Sequence, residues 1–527
     1  MNKPLMVLSL AIATALFGST TAKAADIIPV NFDGTNEGYN DITPATPEGG
    51  NPGTTIGEQR RIVAQYAADL WGSVLQSNVP IYVGAQFNPL GPNVLGSAGA
   101  TSAFTDFAPG IVTNTWYSVS LANAIAGRDL RPGFTHINSQ FSSDFTFYYG
   151  LDGNTPAGKV SFLDVVMHEF GHGLGFQNFE TEADGTFMLD IQDIYSVFTL
   201  DNSTGKHWTQ MTNDERKASA LNYGKVVFDG FNATSGATLT LDPRTAFRVT
   251  APAAIAGDYE YGTASFGPPV STSNFHGNVV VANDGVGAAS DGCEPFTNFA
   301  AVAGNIAIID RGTCTFVVKA KNAQNAGATG VIIANNAVTN PPPGLGGVDS
   351  TITIPAISVT QADGATIKGT SGVQVTFVVD PGKLQGADDL NHPRLYMPNP
   401  VVPGSSGSHY DTALAPNALM EPAINDSLNA ALNLDITPNL LKDTGWVLNG
   451  GNAKIDGCDT SIDVVNDAGI IIGANVQAQS NLCLSTAVRR GDYQNCMDAY
   501  KTRMVASRLI TDKQAGKMMS CVSHLGK

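Results

Sequence analysis

The chain has 527 residues, which at ~150 residues per domain means several folded units and excludes a single small domain. Its 43% apolar and 14% charged residues, with 56 glycines and 28 prolines, favour short strands and turns and exclude a coiled coil or a wholly disordered chain. With 29 basic against 46 acidic side chains, a net charge of −17 repels phosphate backbones and argues against nucleic acid as a partner.

Taken in chain order, Lys3, the apolar run from Leu5 to Phe17 and the small-x-small triplet Ala22-Lys23-Ala24 form the pattern of a secretory signal peptide over residues 1–24. That run is too short to span a bilayer, and no later stretch approaches ~18 consecutive apolar residues, so no stable membrane span is expected. The product is expected to be secreted, extracellular or periplasmic, with its six cysteines paired. Residues 27–32 and 79–83 read as strands, and folded structure beginning so near the cleavage site leaves no large propeptide apparent. Between those strands Thr55-x-x-Glu58 is a capping box, followed by Ile62, Tyr66, Leu70 and Val74 every four residues, an amphipathic helix. Ser161-x-x-Asp164 caps a second helix running through Val165, Val166 and Phe170 to Gly171, Gly173 and Gly175.

From about Phe247 to Asp380 the texture changes to short apolar strands and Gly/Asn turns. Strand 306–310, helix 317–326 and strand 330–334 form a βαβ unit, with Gly327 suiting the helix C-terminus. Residues 352–359, interrupted by Pro355, read as an edge-like strand, and 373–379 as another. Asp310 beside Arg311 suggests a local salt bridge. A helical stretch is predicted at 425–434, and the segment opened by Gly450-Gly451 reads as mainly helical.

The chemistry centres on His168-Glu169-Phe170-Gly171-His172, an H-E-x-x-H motif on the second helix. Residues four apart lie on one helix face, so His168 and His172 offer two imidazole nitrogens to one zinc ion. With only 8 histidines in the chain, coincidence explains this spacing poorly. Zinc with three protein ligands keeps a fourth position for water, whose pKa it lowers to about 7, and Glu169 is placed to act as general base in peptide-bond hydrolysis. The third ligand is not fixed by spacing. Gly175 continues the metzincin pattern, in which a glycine turns the chain toward a histidine three residues later, but position 178 is Asn178. The remaining candidates are His136, His207, His276, His392, His409 and His524, with acids such as Glu180, Asp190 and Glu215.

Gly407-Ser408-His409-Tyr410, then Asn417-Ala418-Leu419-Met420-Glu421-Pro422 and Leu440-Leu441-Lys442-Asp443-Thr444-Gly445-Trp446, resemble the end of the catalytic domain of leishmanolysin-type metzincins. The likeness spans the helix motif and roughly residues 404–447. It implies His409 as third ligand and Met420 as the Met-turn residue beneath the zinc; Glu215, under a thermolysin-like reading, and then His392 and His207 are the alternatives. Gly304 to Phe316 (GNIAIIDRGTCTF), then Lys319-x-x-Asn322-Ala323-x-x-Ala326-Gly327-Ala328 and Ile354-Pro355-Ala356-Ile357, resemble a protease-associated (PA) domain, a non-catalytic module. Cys293 and Cys314 are the only cysteines in that insert and are predicted to pair; Cys458, Cys483, Cys496 and Cys521 in the tail allow three pairings.

The expected architecture is a multidomain α+β and α/β chain. A metzincin-like catalytic domain (25–245 and 384–450, mixed sheet plus active-site helix) is interrupted by an α/β PA domain (246–383) and followed by a small helical Cys-rich tail (451–527). The expected activity is that of a secreted zinc-dependent metalloendopeptidase with one catalytic Zn2+, acting on proteins or peptides; calcium is compatible with the sequence but not indicated. The rival is a catalytically silent binding protein working through the PA insert, against which the intact Glu169 argues. Hydrolysis of a non-peptide amide at the same site is a third reading, because no specificity pocket is recognisable.

Overall fold

The computed structural model describes residues 23–424 and 427–525. The signal-peptide pattern lies almost wholly outside the described residues. Among them, no helix is long and apolar enough to cross a membrane.

The first body opens with strand β1 (Ile27–Asn31), helix α1 (Ile56–Val74) and strand β2 (Ile81–Asn88), followed by β3 (Gly96–Ala100), α2 (Val119–Ala126), β4 (Ile137–Ser142) and α3 (Phe162–Leu174). The Thr55 hydroxyl accepts from the Glu58 N–H, and the Glu58 carboxylate accepts from the Thr55 N–H, so the capping box sets where α1 begins. The sheet order is β1-β2-β4-β3, with β1, β2 and β4 parallel and β3 antiparallel along the edge. Every residue of α3 is buried, including the polar Asp164, His168, Glu169 and His172. Ser161 caps it by accepting from the Asp164 N–H at 3.2 Å. Two indoles hold its backbone: Trp71 donates to the Met167 carbonyl at 3.0 Å and Trp446 to the Leu174 carbonyl at 2.8 Å. The second contact satisfies one of the carbonyls that a helix C-terminus leaves without a partner.

The insert contains β5 (Pro243–Ala251), β6 (Gly257–Tyr259), β7 (Gly262–Thr263), β8 (His276–Val281), β9 (Ile306–Asp310), α4 (Phe316–Asn325), β10 (Gly330–Ala334), β11 (Ala356–Val359), α5 (Gln361–Gly369) and β12 (Gln374–Leu384). Its sheet runs β6-β5-β12-β8-β9-β10-β11-β7, with β8 to β11 parallel and apolar clusters on both faces. Three expectations need correction here. The strand read over 352–359 exists only after Pro355, as β11, and it is fully buried between β10 and the two-residue β7, so it is not an edge. The strand read at 373–379 extends to Leu384 and lies inside the sheet, between β5 and β8. Asp310 does not pair with Arg311: neighbouring side chains diverge, so Asp310 meets Lys368 on α5 while Arg311 donates to the Asn335 amide oxygen at 2.9 Å.

After the insert the chain returns to the first body. The helix predicted at 425–434 is a further correction: Asn425 and Asp426 lie outside the described residues, and 427–434 is turn and loop. Ala430 donates to the Asp164 carboxylate at 2.8 Å, so this backbone is committed to the start of α3. The helix instead forms as α6 (Thr437–Thr444), where Pro438 suits the first turn. The tail contains a hairpin, β13 (Asn452–Ile455) and β14 (Cys458–Asp463), that the helical reading missed, and then α7 (Ile472–Thr486), α8 (Arg490–Ala506) and α9 (Asp512–His524). Disulfides join Cys293 to Cys314, Cys458 to Cys521 and Cys483 to Cys496.

Candidate metal centre

Helix α3 carries His168, Glu169 and His172, and the chain beyond the insert brings His409 to them. The three Nε2 atoms lie 3.0 Å (168 to 172), 3.2 Å (172 to 409) and 3.3 Å (168 to 409) apart, with all three side chains buried. Each Nδ1 faces a backbone carbonyl: Leu419 for His168 at 2.7 Å, Phe176 for His172 at 2.8 Å and Ser405 for His409 at 2.9 Å. A carbonyl can only accept, so each ring carries its proton on Nδ1 and presents a bare Nε2 lone pair to the shared space. Burial pushes the imidazoles toward the neutral form, to about 4 for His168 and about 3 for His172, with His409 held well below its ordinary value. Three neutral donors converging on one point fit a zinc ion with an open fourth position.

The Leu419-Met420 segment packs against the helix that carries His168 and His172. A Cβ on Gly171 would stand 2.7 Å from the Met420 sulfur, so any other residue at 171 would require the Met420 side chain to shift. The Met420 carbonyl accepts from the Tyr410 N–H at 2.8 Å, which ties this segment to the residue after His409. Gly175 ends α3 with φ +124° and returns the Phe176 carbonyl to His172. Asn178, which occupies the place of the nearby third histidine, donates to Glu182 at 2.9 Å.

Among the described residues, the other sequence candidates do not join the three imidazoles. His392 pairs with Asp388, His207 with Asp229 and Glu215 with Lys206, while His136 is buried beside Asn123 and Asp129. His276 and His524 are exposed, as is Asp190, and Glu180 is in contact with Ser196 and Asp193.

Above the imidazoles lies a cleft of about 750 Å³, walled on one side by β3 and on the other by the loop before His409. The Glu169 carboxylate packs against β3, where a Cβ on Gly96 would stand 2.5 Å from its Oε1, and burial raises its pKa to about 8. Glu180, Glu182 and Glu421 also line the cleft, and among the described residues no lysine or arginine does. Sequence reasoning missed Gly96, Glu182 and Glu421 as cleft residues and considered Glu180 only as a metal ligand. Gly96 carries no local signal, and the glutamates meet the cleft only through the tertiary fold.

A family profile described as "PA domain" matches residues 275–367, so the insert contains a PA domain. The chain is 38% identical over 147 residues to an aminopeptidase of Pseudomonas aeruginosa strain PAO1, covering 26% of each chain. It is 34% identical over 116 residues to vacuolar-sorting receptor 1 of Pisum sativum, covering 21% of this chain and 18% of the relative. The chain thus spans only about a quarter, or less, of the length of these relatives. Among solved structures, a zinc aminopeptidase from Bacillus subtilis is 26% identical with a TM-score of 0.20, covering 28% of this chain and 36% of that one.

Proposed function

We propose that this chain is a secreted zinc-dependent metallopeptidase of the leishmanolysin-like metzincin type that cleaves proteins or peptides internally. The PA domain is its inserted, non-catalytic module. The observation that carries the reading is the convergence of three neutral Nε2 donors from His168, His172 and His409 beside the buried Glu169. One zinc ion held by those three imidazoles would supply Lewis-acid polarisation of a peptide carbonyl and of the attacking water. Beside the positive charge of that ion the Glu169 carboxyl would return to its ionised form, in which it would accept the proton of that water and deliver it to the leaving amine nitrogen from its place against Gly96 of β3. Strand β3 is an edge strand along the cleft, so its outer backbone groups are available to pair with an extended peptide and align the scissile bond over the imidazoles.

A second reading, an aminopeptidase, draws on the three further carboxylates of the cleft, which suit a substrate ammonium, and on the partial likeness to bacterial aminopeptidases. Casein and an internally quenched peptide, each with free and acetylated N-termini, separate the two. Equal cleavage of blocked and free substrates supports the endopeptidase; cleavage only of free N-termini replaces it with the aminopeptidase.

A further inference from the structure

On the reading that the three histidines hold a metal, we infer that Asp435 is a positioning residue for the centre, fixing His168 through the backbone of Leu419. Asp435 is 5% exposed and adopts φ +48°, a left-handed conformation that costs an aspartate energy unless its surroundings hold it there. One carboxylate oxygen accepts from the Leu419 N–H. The other accepts from the Thr437 N–H at 3.1 Å and from its hydroxyl at 2.9 Å, anchoring the carboxylate to the start of α6. Leu419 in turn offers its carbonyl to His168 Nδ1 at 2.7 Å. The next residue, Met420, lies against Gly171 and accepts from the Tyr410 N–H through its own carbonyl.

The stretch Leu419-Met420 therefore touches both ligand-bearing segments, α3 and the loop of His409, and Asp435 holds it through the Leu419 N–H. Without that grip the Leu419 carbonyl is free to tilt, and with it goes the hydrogen bond that sets the plane and proton position of the His168 ring. Loss of a partner that orients a metal-binding histidine costs ~10–100-fold in metal affinity. Asn retains one acceptor oxygen but brings an NH2 against either the Leu419 or the Thr437 N–H, so it preserves the grip in part. Thr437→Val removes only the hydroxyl contact at the helix start and serves as the structural control.

The test uses the full chain, stripped of metal and titrated with Zn2+ and Co2+, reading the dissociation constant, the Co2+ visible bands and Tm. The expected result is that Asp435→Ala weakens Zn2+ binding by ~10–100-fold and shifts the Co2+ bands. Asp435→Asn should fall between it and wild type, and Thr437→Val should lower Tm with wild-type metal affinity. If Asp435→Ala does not fold, Asp435→Asn against Thr437→Val decides the matter. Wild-type Zn2+ affinity and Co2+ bands in every folded Asp435 variant, whatever the loss of Tm, would overturn the inference. Wild-type protein that binds neither metal would instead refute the metal-centre reading beneath it.

Discussion

Gly171→Ala is the sharpest probe of how the chain beyond the insert seats against α3. A mid-helix glycine-to-alanine change by itself stabilises by up to ~1 kcal/mol. Here the new methyl would stand 2.7 Å from the Met420 sulfur and 3.2 Å from its Cε, well inside the ~3.5–4.0 Å optimum for non-bonded carbon contact. Overpacking of this kind costs ~1–3 kcal/mol, so the net change is a destabilisation of ~0–3 kcal/mol. In Met420→Ala the clash partner is gone, and Gly171→Ala should then recover its helix-propensity gain. The cycle between the two sites should show coupling of ~1–3 kcal/mol. All four tryptophans, at 71, 116, 208 and 446, lie outside the insert, so denaturant unfolding followed by tryptophan fluorescence reads the core that contains α3. Stabilisation by Gly171→Ala in the wild-type background, equal to that in Met420→Ala, would show that Met420 does not pack there.

His409→Ala should weaken zinc binding more than the ~100-fold upper range for losing an outer partner, while His392→Ala, which only breaks a pair with Asp388, should leave it unchanged; competitive titration with a zinc chelator reads both. The reverse pattern would move the third ligand to His392. Trp446→Phe leaves the Leu174 carbonyl buried without its donor and should cost ~1–3 kcal/mol of stability by denaturant unfolding. A change below ~0.5 kcal/mol would mean that this contact does not hold the end of α3.

Much of this fold was legible where a local signal and the tertiary outcome agree. The capping box at Thr55 and the Ser161 cap begin helices where they were expected, because a side chain that satisfies free N–H groups acts within one turn. The βαβ of the insert was legible because its apolar strands are buried on both faces and read as continuous runs. The stretch 425–434 misled because Leu428, Ala430, Ala431 and Leu434 mimic helical periodicity, while the Ala430 N–H is taken by Asp164, far away in sequence. Residues adjacent in sequence, such as Asp310 and Arg311, tempted a pairing that diverging side chains forbid. At the candidate metal centre, the closeness of His168 to His172 was legible from spacing because both ride on one helix. His409 approaches across 237 residues from His172, a separation that no spacing rule covers, and only the family likeness pointed to it. The carboxylates of the cleft and the grip of Asp435 on Leu419 exist only once α3, the 404–421 loop and α6 have packed together.

The central claim is that three imidazoles and Glu169 form a working hydrolytic centre. Its most direct test measures zinc content and casein hydrolysis in the same preparations of wild type and Glu169→Gln. The account predicts about one zinc per chain in both, with cleavage by wild type and a loss of at least ~100-fold in Glu169→Gln. Full zinc occupancy with no cleavage by wild type, or undiminished cleavage by Glu169→Gln, would contradict it.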